Sequence, residues 1–159
     1  MSERAAALAR QLQEQGDQLV SLIEGCSEAG WRTVCAAEGW TVGVTAHHLA
    51  DGHLPAGVQF VELLVNGQPL PPITMEQIDQ MNAEHAVAQA NCTRPETLAA
   101  LRRNAARAVE FVGGLSDEQL DRSAPLAAAG GATVSAEQLI QMILIQSSGE
   151  HLTSLRAAL

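Results

Sequence analysis

Five histidines carry most of the chemistry this chain can offer, and three of them, His47, His48 and His53, crowd into one short segment. His85 and His151 stand apart. Neutral imidazole is a general base near neutral pH and the commonest protein ligand for divalent transition metals. Helical bundles hold metals between side chains of facing helices, so histidines on different helices are where such a site would form. The spacing contains no ready-made motif: neither HExxH nor a pair of histidines separated by three residues occurs.

Each histidine also has a plainer reading. At α-helical spacing His53 lines up with Leu49, Ala56, Phe60 and Leu63, the setting of a hydrogen-bonded core or interface histidine. His47 shares a side with Val44, Leu54, Val58 and Val61, and Asp51, four residues on, is within reach of a local hydrogen bond. His48 aligns with Asp51, Pro55, Gln59 and Glu62, a polar stripe that is either solvated surface or the wall of a polar cleft. His85 lies on a polar helix and reads as exposed. Near the C-terminus, Gln146, Ser147, Ser148, Glu150 and His151 interrupt an apolar helix just after Met142-Ile143-Leu144-Ile145. Ile140, Leu144, Ser147 and His151 fall on one side of it. An unpaired buried polar group costs about 1–3 kcal/mol. The cluster is therefore a hydrogen-bonded layer that fixes helix register, or a functional pocket. Cys26, Cys35 and Cys92 are an odd set without a CxxC pair, and read as small hydrophobes or free thiols.

The elements that must position these residues are helical. Leu8, Leu12, Leu19, Leu22, Ile23 and Cys26 recur at three- and four-residue steps, predicting a first long helix from about Ser2 to Gly25. Thr41 is the expected cap of a second, running towards Asn66-Gly67, with Pro55 kinking it by removing a backbone donor. A shorter helix is expected over Met75 to Ala90. Thr93-Arg94-Pro95-Glu96 opens a third main helix that Gly113-Gly114 stops, and Ser116 starts one further short turn. Ala127 to Thr133 is small and glycine-rich and reads as a loop; Ser135 and Gln138 then cap a fourth helix reaching the C-terminus. Strand signals are almost absent. With no repeat and no second zone of composition, residues 1–159 read as one all-α domain, a four-helix bundle with one short extra helix after the second.

Composition narrows the partners. The 159 residues are 47% hydrophobic and carry 9 basic against 18 acidic side chains, a net charge of -9. All the basic residues are scattered arginines on an acidic body, which excludes nucleic acid as an expected partner. No apolar run approaches the ~20 residues of a membrane span. The N-terminal MSERAAALARQLQEQ is charged and helix-like, with no apolar stretch before a cleavage site, so the cytoplasm is the expected location.

Gly39-Trp40-Thr41-Val42 followed by Ala46-His47-His48-Leu49-Ala50-Asp51-Gly52-His53 resembles the second-helix signature of the DinB-like superfamily, which includes mycothiol-dependent maleylpyruvate isomerases and bacillithiol transferases. Ile78 to His85 resembles the segment after that helix, and Gly149-Glu150-His151-Leu152 falls where the family's last helix carries histidines. The resemblance implies a four-helix bundle holding a divalent metal, zinc or nickel, with one histidine from the second helix and two, four apart, from the last. On this chain those positions are His48, His151 and Ser147, so a hydroxyl stands where the third imidazole is expected. Asp51 is the better placed substitute, since Glu150 points about 100° away from His151 around the helix. His47 and Asp51 are also candidates to orient the ligands. The resemblance further implies a low-molecular-weight thiol activated for attack on a small electrophile, and a homodimer. The alternative is a small-molecule-binding or dimerising bundle that has lost the metal.

Overall fold

Alanine, leucine and glutamate at helical spacing, started by Ser and Thr caps, give the chain its helices. A computed structural model describes residues 2–159. Helix α1 spans Glu3–Glu24 and is capped by Ser2, whose hydroxyl accepts from the Ala5 N–H. Short α2 (Glu28–Trp31) leads to α3 (Val42–His47), capped by Thr41. After a turn of wider winding come α4 (Leu54–Val65), α5 (Met75–Ala88) and α6 (Arg94–Gly113). Helix α7 (Asp117–Asp121) precedes two strands, β1 (Ser123–Leu126) and β2 (Ala132–Ser135), and the chain ends with α8 (Ala136–Leu139) and α9 (Ser148–Ala158). The bundle's four long rods are α1, α3 continued by α4, α6, and α8 continued by α9. Their buried faces meet in one core, which includes Leu8 and Ile23 of α1, Val58 and Val61 of α4, Leu101 and Val112 of α6, and Leu139 and Leu155 of the last rod. Among the described residues no helix is long and apolar enough to cross a membrane.

Two features depart from the sequence expectation. The glycine-rich stretch is a loop only at its tip, where Gly130 and Gly131 have φ of 66° and 84°. Its flanks pair as an antiparallel hairpin, with Ser123 opposite Ser135 and Leu126 opposite Ala132. Each strand is four residues long, too short for alternation to register in the sequence. The second departure concerns winding. Residues His48–His53 and Ile140–Ser147 form π-helical turns inside otherwise α-helical rods. Pro55 has no N–H to offer the carbonyl one turn back, so a continuous α ladder cannot run through this point. The rod widens before the proline and resumes α winding with Pro55 in its first turn, rather than simply kinking.

Wider winding leaves backbone carbonyls for side chains of other rods. Asn104 Nδ2 donates to the Ala50 carbonyl at 2.8 Å, Gln15 Nε2 to that of Ile145 at 2.9 Å, and His53 Nε2 to that of Ile143 at 2.7 Å. The last contact depends on a close approach at Gly57, where a Cβ would lie 2.6 Å from Leu144 Cδ2 and 3.0 Å from Ile143 Cγ2. Leu144 is fully buried and cannot swing away. Gly57→Val is therefore expected to destabilise the fold by about 1–3 kcal/mol through overpacking, despite a small gain in helix propensity. Urea unfolding checks this, and an unchanged midpoint would contradict it.

In the apolar run of the last rod, Ile140 and Leu144 are fully buried and Met142 is exposed. Helix α5 is the reverse: none of its residues is buried, and Met75, Met81 and Val87 face solvent.

Candidate metal centre

His53 of the first π turn reaches the Ile143 carbonyl of the second, and the imidazoles gather beside that contact. His48 and His151, 103 residues apart in the chain, have ring centroids 5.3 Å apart at an interplanar angle of 77°. His53 completes a triangle, 5.7 Å from His48 and 5.9 Å from His151. The α-helical reading placed His48 and His53 on different faces. In a π turn the hydrogen bond runs from residue i to i+5, so a residue five along comes back nearly above the first. His53 is hydrogen-bonded, as the sequence led us to expect, but it is also a wall of the cluster.

His48 is buried, not on a solvated stripe. The edge of Trp40 packs on its ring at 5.3 Å. Burial above all, and then the neighbouring imidazoles of His53, His151, His85 and His47, push its pKa down to about 3. Burial likewise lowers His53, although its bond to the Ile143 carbonyl acts the other way. Neutral rings with a free lone pair are the form in which histidine ligates metals.

His151 is held by a residue the sequence did not single out. Glu38 lies in the tight loop before α3, which Gly39 closes with a φ of 73°. Its Oε1 accepts from His151 Nδ1 at 2.8 Å, and its Oε2 accepts from the Ser154 hydroxyl. With Nδ1 donating, the lone pair of His151 is on Nε2. A carboxylate behind an imidazole is the common way to fix the tautomer and raise the basicity of a metal-ligating histidine. No spacing in the sequence links residue 38 to residue 151, so only the tertiary fold exposes this pair.

Three expectations are corrected. His47 does not bond Asp51: its Nδ1 meets His85 Nε2 at 3.0 Å, with ring centroids 5.1 Å apart. His85 is accordingly not an exposed bystander, and its ring also lies 6.0 Å from that of His48. Asp51 points away from the cluster, exposed, towards Arg103 at 3.6 Å and Asn104 at 3.3 Å. The reason is again the winding, which turns Asp51 outward while bringing His48 and His53 into line. Ser147 ends the second π turn, half-buried. Trp31 is a packing residue: it lies against Gly43 and donates from Nε1 to the Cys92 carbonyl. With Arg32 it borders a separate surface cavity that contains none of the histidines. Cys26 and Cys35 are buried, and burial raises the pKa of all three thiols, which suits packing rather than nucleophilic duty.

The donor set of the cluster suits a borderline divalent ion. Three imidazoles at about 2.1 Å from one tetrahedral ion place their centroids about 5.2 Å apart. The observed triangle is wider, and among the described residues no group of three or more His, Cys, Asp or Glu side chains is arranged so that it could hold a metal ion. The chemistry of the donors fits such an ion, while their spacing as it stands is wider than one ion spans.

Comparison with known proteins agrees with this architecture. The family model of the DinB superfamily matches residues 11–148. No curated protein matches the sequence significantly. Among solved structures, YfiT from Bacillus subtilis superposes with a TM-score of 0.78 at 19% identity, covering 99% of this chain and 87% of that one. It is described as a probable metal-dependent hydrolase with an unusual four-helix bundle topology. An uncharacterized protein from Clostridium difficile 630 superposes with a TM-score of 0.73 at 14% identity, covering 99% and 96% of the two chains. At such identities these neighbours speak for the fold.

Proposed function

We propose, because this chain belongs to the DinB superfamily, that it is a divalent-metal-dependent catalyst acting on a small molecule, with His48 and His151 as ligands. The observation that carries the reading is the meeting of two imidazoles from different rods at 5.3 Å, one desolvated and neutral, the other backed by Glu38. YfiT's description as a probable metal-dependent hydrolase points the same way.

The chain's own groups divide the work. Buried His48 offers a lone pair that stays unprotonated at neutral pH, and Trp40 keeps water from one side of it. Glu38 holds the His151 ring by Nδ1 and disperses positive charge that gathers on it. His47 and His85, bonded to each other beside the cluster, are placed to relay a proton from a nucleophile to solvent. A zinc or nickel ion at this centre would supply Lewis acidity, lowering the pKa of a water or a low-molecular-weight thiol so that it attacks an electrophile at neutral pH. Hydrolysis follows if water is the nucleophile, and thiol transfer or isomerisation if a thiol is.

Ser147 favours a second reading, a bundle that binds a small molecule without a metal and without catalysis. Metal analysis separates the two. Untagged protein is expected to retain close to one equivalent of zinc or nickel through gel filtration, and to lose several degrees of melting temperature on chelation. Protein that emerges without a divalent ion and melts identically with and without chelator belongs to the second reading.

A further inference from the structure

We infer that His53 supplies the third imidazole of this centre, delivered by the π turn of its own helix in place of the histidine that Ser147 replaces. The inference rests on the metal reading above and specifies its donor set: two histidines five apart on one rod and one on another, rather than one and two.

Geometry carries the argument. In an α-helix, residues five apart are about 140° apart around the axis and cannot converge on one point. The π winding of His48–His53 brings the two residues back onto one face, and the His53 ring stands 5.7 and 5.9 Å from the two others. The tautomer is fixed as well. His53 Nε2 lies 2.7 Å from the Ile143 carbonyl, which can only accept, so Nε2 carries the proton and Nδ1 carries the lone pair. This is the arrangement seen at His151, with a carbonyl in the place of Glu38. The Ile143 carbonyl is itself part of the second π turn. Both distortions thus serve one contact, the first aligning His53 with His48 and the second lying against its far nitrogen.

Competing donors are engaged elsewhere. Asp51 is exposed, with Arg103 and Asn104 as partners. Both oxygens of Glu38 are taken, by His151 and Ser154. The Ser147 hydroxyl is a poor ligand for zinc or nickel beside an available imidazole.

The test uses the full-length untagged chain, stripped by chelator and titrated with Zn2+ against a chromophoric competitor. Wild type is expected to bind one ion, and His53→Asn to bind it tenfold to a hundredfold more weakly with an unchanged circular dichroism spectrum. Ser147→Ala is expected to stay within twofold of wild type. In 15N spectra of the wild-type imidazoles, a reading independent of how any variant folds, Zn2+ should shift the nitrogens of His48, His53 and His151 far more than those of His47 and His85. If His151→Ala loses the ion while His53→Asn binds as wild type and the His53 nitrogens do not move, the inference is overturned and the metal reading stands. Equal weakening by Ser147→Ala and His53→Asn also overturns it, since the hydroxyl is then a donor. A wild-type chain that binds no Zn2+ at millimolar concentration overturns both.

Discussion

Replacing His48 by alanine is expected to weaken Zn2+ binding about a thousandfold, roughly 4 kcal/mol, with a parallel loss of any metal-dependent turnover. No other ring is placed so centrally. His48 lies 5.3 Å from His151, 5.7 Å from His53 and 6.0 Å from His85, and it is the most deeply buried imidazole of the group. Removing it takes away a ligand that is already largely desolvated in the folded protein, and leaves His53 and His151, 5.9 Å apart, without the ring that lies between them and His85. Isothermal titration with Zn2+ reads the effect directly. The folded state should survive, because deleting an uncharged ring between other rings opens a cavity without stranding a charge. A variant that binds within tenfold of wild type would show that the ion, if bound at all, sits elsewhere.

Metal-free protein is expected to lose stability steeply as it is acidified. The pKa of His48 is held at about 3 in the folded chain against an ordinary 6.5, so between these values the unfolded chain takes up a proton that the folded one refuses. The stabilisation is therefore fully present above pH 6.5 and declines as pH falls towards 3. Its slope is about 1.4 kcal/mol per pH unit for one such group. From pH 6.5 to 4.5 His48 alone accounts for roughly 2–3 kcal/mol, a large fraction of a typical domain's 5–15 kcal/mol. His47 and His53, both lowered chiefly by burial, act in the same direction. Urea unfolding at half-unit steps from pH 7.5 to 4.5 measures the slope, and His48→Asn should make it shallower by close to one proton. Equal slopes in the two proteins would mean that the ring protonates freely in place.

The rods were legible because they rest on local rules. Leu8, Leu12 and Leu19 repeat at helical steps, and Thr41, Thr93, Ser116 and Ser135 each accept from the backbone N–H three residues on, as their spacing implied. The pairing of His48 with His151 was reached through family resemblance rather than periodicity, which had placed His48 on a polar stripe. The remainder was hidden for definable reasons. Helical-wheel arithmetic assumes one winding throughout, and two π turns rephase the residues that matter most, carrying Asp51 out and His53 in. Glu38 comes from a loop with no periodicity at all. The bond from His47 to His85 joins the second rod to α5, where a local partner, Asp51, looked sufficient.

Helix α5 has a different bearing on this molecule's history. It flanks the imidazoles through His85, yet none of its fourteen residues is buried. Surface substitutions of that kind usually shift stability by less than about 0.5 kcal/mol, so selection for folding barely constrains them. A lineage can therefore rewrite this rim of the centre almost freely while the bundle beneath is preserved. Divergence in what such proteins accept would be written first along α5, with His85 the position least at liberty to drift.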